Sequence, residues 1–158
     1  AQGPDIALKA KASASTEDAS WPATNVNDGD PTTYWLATDV TNQWVAITWP
    51  APTHFTAVQL QGFQGVIESS HLEALGTDGK TWASLDGYDG KTGAFLPGTV
   101  FNPENAANAG NTAPFFFFPS GVTTTGLRYF ITATNSVSSI PGLSEMVVFD
   151  SPIPTPSQ

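Results

Sequence analysis

Between Asn25 and Ala37 the sequence reads NVNDGDPTTYWLA, with Asp28 and Asp30 on either side of Gly29 and the hydroxyls of Thr32 and Thr33 just beyond. Three kinds of chemistry use such a set. A carboxylate pair acting as acid and base must flank a substrate bond from separate elements, with one member buried enough to stay protonated. Asp28 and Asp30 share one short polar turn, so no catalytic residue is expected there. A hard cation such as calcium takes about six to eight oxygens from carboxylates, hydroxyls and main-chain carbonyls, and Asp28, Asp30 and Thr33 can present several at once. The spacing is not that of an EF-hand. An Asx turn, in which Asp28 satisfies local N–H groups while Gly29 takes positive φ, uses the same residues. Spacing alone leaves cation site and plain turn open.

The elements that hold this turn read as β structure. Val45, Ile47 and Trp49 share one face of QWVAITW, and Val58 and Leu60 share one face of FTAVQLQGF. Between them PAPTH carries two prolines, which cannot donate to a ladder, and reads as a connection. IALKAKASAS alternates loosely as a first strand, and HLEALGTDGKTWASL is a hairpin turning at Asp78-Gly79. LRYFITAT and SEMVVFD close the chain as strands. FFFF, residues 115–118, is expected as a strand with Phe115 and Phe117 on one face and Phe116 and Phe118 on the other. Residues 86–114 are rich in Gly, Asn and Pro and read as a long surface excursion. Eight or nine short strands point to an all-β, antiparallel β-sandwich or jelly roll. Residues 1–150 are expected to form one domain, and the proline-rich SPIPTPSQ, residues 151–158, reads as the start of a linker to another.

Composition narrows the partners. Five Lys and Arg against fourteen Asp and Glu give a net charge of −9 with no basic cluster, so nucleic acid and anionic membrane surfaces are not expected. The absence of cysteine excludes disulfides and thiolate chemistry. No Ser/His/Asp context, histidine cluster or buried acid pair marks an enzyme. The opening at Ala1, without Met or a basic leader, fits a processed or excised fragment of a secreted protein and, equally, a recombinant boundary.

Five segments in order, ATNVNDGDPTTYWLA, QWVAITW, TDGKTW, LRYFITAT and GLSEMVVF, together resemble the discoidin, or factor V/VIII C-type, superfamily over residues 5 to 150, and in particular its carbohydrate-binding modules of family 32. The resemblance implies a galactose-binding-domain-like sandwich with a structural calcium ion. Asn27, Asp28, Asp30 and Thr33 would supply oxygens from the turn, and Glu145 a distant carboxylate. It further implies a noncatalytic module that binds a neutral sugar or polysaccharide as a monomer and tethers a larger secreted carbohydrate-active enzyme, covalently linked, to its glycan. The rival expectation is a structural or protein-interaction sandwich that packs on a neighbouring domain and binds no sugar.

A sugar site of this kind pairs an aromatic platform with a few polar groups, and the resemblance places it on loops at one end of the sandwich. Trp21 is the leading platform, since it stands alone among Ser, Asp and Pro with no strand periodicity to bury it. Tyr34 lies on a second converging loop. His71 heads the HLEAL strand, where galactose-binding relatives use a polar contact, and Gln64, Glu68 and Asn135 are further hydrogen-bonding candidates. Trp35, Trp44, Trp49 and Trp82 match core positions of the pattern. Arg128, the chain's sole arginine, falls at a structural strand position rather than on a loop, so galactose is not singled out among neutral sugars.

Overall fold

Alternation of apolar and polar residues builds the layers. The computed structural model describes residues 5–30, 32–64, 67–90, 93–97, 115–134 and 140–150, the side chains of residues 63, 64, 67 and 68 excepted. Its strands are β1 (Lys11–Ala14), β2 (Trp35–Leu36), β3 (Thr41–Gln64), β4 (Ile67–Leu75), β5 (Trp82–Ser84), β6 (Gly87–Asp89), β7 (Phe95–Leu96), β8 (Phe115–Thr134) and β9 (Gly142–Phe149). All pair antiparallel, the main path running β2-β9-β3-β8-β4-β5.

Two long strands join the layers of the sandwich. The first half of β3 pairs with β1 and with the second half of β8, whereas its second half pairs with β9 and with the first half of β8. The β3–β8 register shifts between Thr48 and Thr53 and again between Phe55 and Ala57. Such irregularities bend and twist a strand, which lets one strand serve both layers. One core lies between the halves: Val45, Ile47, Leu127, Tyr129 and Ile131 from one side meet Phe55, Val58, Leu60, Phe116 and Val148 from the other.

Two expectations from sequence need correction. PAPTH does not interrupt the strand; β3 runs through it, because Pro50 and Pro52 fall in the register gap where no ladder N–H is required. The segment IALKAKASAS is not one strand: Ile6–Lys9 form a 3-10 turn, capped by Asp5 whose Oδ1 accepts the Ala7 N–H at 3.0 Å, and only then does β1 begin. The same Oδ1 accepts the Val148 N–H at 3.1 Å, tying residue 5 to the closing strand.

The phenylalanine run behaves as alternation requires. Phe116 and Phe118 enter the main core, while Phe115 and Phe117 pack on Ala57, Val147 and Phe149 in a second cluster on the outer side. Within the expected excursion 86–114, β6 and β7 form a hairpin carrying the exposed pair Tyr88 and Phe95. Residues 98–114 and the tail 151–158 lie outside the described residues.

Candidate functional site

The Asp28 turn follows a 3-10 segment, Ala23–Asn27, and Gly29 takes φ 77°, where a side chain would be strained. Asp28 Oδ1 accepts the Asp30 N–H at 2.9 Å, and its Oδ2 accepts the Thr33 hydroxyl at 2.6 Å. Asp30 Oδ1 accepts both the N–H and the hydroxyl of Thr32, which hold its carboxyl below the usual range. Asx-type bonding is therefore present, and it is not the whole arrangement.

Glu145, on β9 and 2% exposed, reaches the same turn: its Oε2 accepts the Gly29 N–H at 3.2 Å. Its Oε1 is buried with no hydrogen-bond partner among the described residues. Burial first, then the nearness of Asp28, push its carboxyl up to about 8, against the lowering effect of the Gly29 N–H. A buried carboxylate oxygen without a donor is costly unless a cation or proton meets it. The Asn27 Nδ2 donates to the carbonyls of Ala7 at 2.9 Å and Ala10 at 2.7 Å, which fastens the first 3-10 turn to this region. Among the described residues no group of three or more His, Cys, Asp or Glu side chains is placed to hold a metal, so any ion here would need hydroxyl and carbonyl oxygens as well.

At another place Trp21 and Tyr34 stack, ring centroids 4.2 Å apart and planes within 9°. Main-chain bonds from Trp21 to Asp18 and from Leu36 to Trp21, together with the Asn25 amide on the Tyr34 carbonyl, clamp the two loops. Both rings are half-buried. Sequence reasoning placed both residues at a site without foreseeing that they touch.

His71 has different neighbours. Its Nε2 lies 2.9 Å from Glu73 Oε2, and its ring stacks on Phe130 with centroids 5.3 Å apart. Arg128 Nε donates to the other Glu73 oxygen at 2.5 Å, and the guanidinium sits over Trp82 at 4.5 Å and over Trp44 and Phe130 at 5.2 Å. Arg128 thus has the structural role expected of it. Trp35 and Trp49 are core as expected, but Trp44 and Trp82 are not: both are half-buried and enclose Arg128 on the outer side of the sheet. The strand period explains this, since Trp44 alternates with the buried Val45. Glu73 and Phe130 were missed because their importance depends on cross-strand register, which no local pattern reveals. The side chains of Gln64 and Glu68, and all of Asn135, lie outside the described residues.

Comparison with solved structures gives the same fold. A chitosan-binding module 2 in complex with chitotriose, from a chitosanase/glucanase of Paenibacillus sp. IK-5, superposes with TM-score 0.66 at 16% identity, covering 92% of this chain and 99% of that one. The family 32 carbohydrate-binding module of C. perfringens NanJ in complex with galactose gives TM-score 0.65 at 16% identity, with 93% and 98% covered. CBM32-3, from a family 31 glycoside hydrolase of Clostridium perfringens, gives 0.64 at 16% identity, with 92% and 93% covered. Among curated protein sequences none matches the chain. The family model for the F5/8 type C domain matches residues 10–146, nearly the whole described fold, and the protein therefore belongs to the F5/8 type C, or discoidin, domain family.

Proposed function

We propose that this discoidin domain is a noncatalytic carbohydrate-binding module of a secreted carbohydrate-active enzyme, holding that enzyme near its glycan. The observation that carries the reading is the Trp21–Tyr34 stack. Two loop aromatics locked face to face give a rigid apolar surface with little further ordering cost, which suits the C–H face of a sugar ring. The structural relatives support it, being modules whose partners include galactose and chitotriose, one taken from a chitosanase/glucanase and another from a family 31 glycoside hydrolase. Tethering would act through effective concentration rather than through high affinity.

A structural calcium ion belongs to the same proposal. The orphaned Glu145 Oε1, together with the oxygens of Asp28, Asp30 and Thr33, fits a hard cation. When bound, the ion would join the turn to β9 and take no part in chemistry.

The test is binding of the calcium-loaded domain to a panel of polysaccharides and monosaccharides. Saturable binding to one glycan class is expected, and uniform silence from a folded sample would overturn the reading. A second reading, a domain that packs on a neighbour, draws on the exposed Tyr88 and Phe95, which meet edge to face with centroids 5.5 Å apart. Silence toward glycans together with loss of solubility relief on Tyr88→Ser and Phe95→Ser would remove both.

A further inference from the structure

The outer face of the sheet formed by β3, β8 and β4 carries a row that the site described above does not use. Trp44 is registered opposite Phe130, and Phe130 opposite His71. All three point away from the core, because they alternate with Val45, Tyr129 and Leu72, which are fully buried. All three keep part of their surface in solvent. In the next row Ala46, Arg128 and Glu73 are likewise in register. A small Ala46 leaves the row above it proud of the sheet, and Arg128 is held by Glu73 and by the rings around it.

We infer that Trp44, Phe130 and His71 form a second glycan-binding face, for an uncharged oligosaccharide lying across the strands; the inference rests on the carbohydrate-binding reading but uses a different part of the surface. Three points of chemistry select this occupant. First, the row crosses two inter-strand spacings of about 4.8 Å each, so it is about 10 Å long and matches a short oligosaccharide better than a single ring. Second, the charges match an uncharged partner. Glu73 accepts from Arg128 and from His71, so the face carries no unpaired charge among these six side chains, on a protein whose net charge of −9 repels polyanions. Third, the polar group is oriented. With both oxygens engaged, Glu73 accepts the Nε2–H of His71, and in the Nε2–H tautomer Nδ1 is an acceptor with no partner among the described residues. A sugar hydroxyl can donate there, beside the part of Phe130 that its stacking on His71 and the Arg128 guanidinium leave exposed. Glu73 is then a positioning residue, acting through His71.

The experiment is a set of residue-resolved NMR titrations of the calcium-loaded domain with cellohexaose, laminarihexaose and N-acetylchitohexaose, repeated on Trp21→Ala, Phe130→Ser and His71→Ala. In the unmodified domain at least one hexasaccharide should shift the Trp44 indole, the Phe130 ring and the His71 imidazole signals. Those shifts should persist in Trp21→Ala, and Phe130→Ser and His71→Ala should each weaken that binding about tenfold. Nitrogen shifts of His71 should report the Nε2–H tautomer, and Glu73→Gln should disturb that signature and the affinity together. Shifts confined to the Trp21 and Tyr34 loops, lost in Trp21→Ala, would overturn the second face and leave the proposed function standing. Shifts on the face with none at Trp21 would support the face and overturn the stack as the sugar platform. Silence with every oligosaccharide from a folded sample would overturn both.

Discussion

Trp21 and Tyr34, thirteen positions apart in sequence, lie 4.2 Å apart as parallel rings. Each is the other's orienting surface. Replacing Trp21 with alanine is expected to abolish binding at this end of the sandwich while costing about 1 kcal/mol of stability, the scale of one lost aromatic pair on a partly exposed surface. Calorimetric titration beside a thermal melt checks both halves. Retained affinity would remove Trp21 from the site.

Calcium removal is expected to lower the melting temperature. An ion present at a hundredfold excess over its dissociation constant stabilises by about 2.7 kcal/mol. The melt should therefore rise with added calcium and fall in chelator, and Glu145→Gln should blunt the response by removing the charge that faces the ion. An unchanged melt in excess chelator would sink the ion proposal.

Glu73 sets the acid limit of the sheet. Burial raises its carboxyl, but the hydrogen bonds from His71 and Arg128 outweigh burial and hold it below its usual value of 4.5. A depressed carboxylate contributes fully above the unfolded value and loses its contribution as pH falls through the folded one. Melting temperature against pH should therefore drop more steeply below pH 4.5 in the unmodified domain than in Glu73→Gln. Glu73→Ala, which leaves Arg128 without its carboxylate, should cost about 3 kcal/mol at neutral pH.

The phenylalanine run offers an internal contrast. Phe116→Ala removes a fully buried ring from the main core and should cost about 3 to 5 kcal/mol. Phe115→Ala opens only the outer cluster, where the ring is half-buried, and should cost roughly half as much. Denaturant unfolding of the two variants side by side measures the difference, and equal losses would contradict the two-cluster packing.

Much of this fold was legible because strand period is a local property. The inward sets Val45/Ile47 and Val58/Leu60, the two faces of the phenylalanine run and the turn at Gly79, with φ 72°, all follow from neighbours in sequence. What escaped was long-range. Nothing near Pro50 announces that a register shift will absorb two prolines, and nothing near Glu73 announces Arg128 across the ladder. The candidate site divides the same way. The residues of the Asp28 turn are contiguous and were readable, whereas the joining of Trp21 to Tyr34, and of His71 to Phe130 and Glu73, depends on how segments meet in space.

The position of β9 sets the order in which the domain can be completed. This strand, last of those described, lies between β2 and β3, and β2 has no other strand partner in the sheet path. Until Gly142–Phe149 arrives, β2 has no ladder to join, the Asp28 turn lacks Glu145, and Asp5 lacks the Val148 N–H. Such non-local closure slows folding. The Asp28 turn, the β2 ladder and the anchoring of Asp5 are therefore completed together, by one strand that arrives after the pairing of β3 with β8 is already possible.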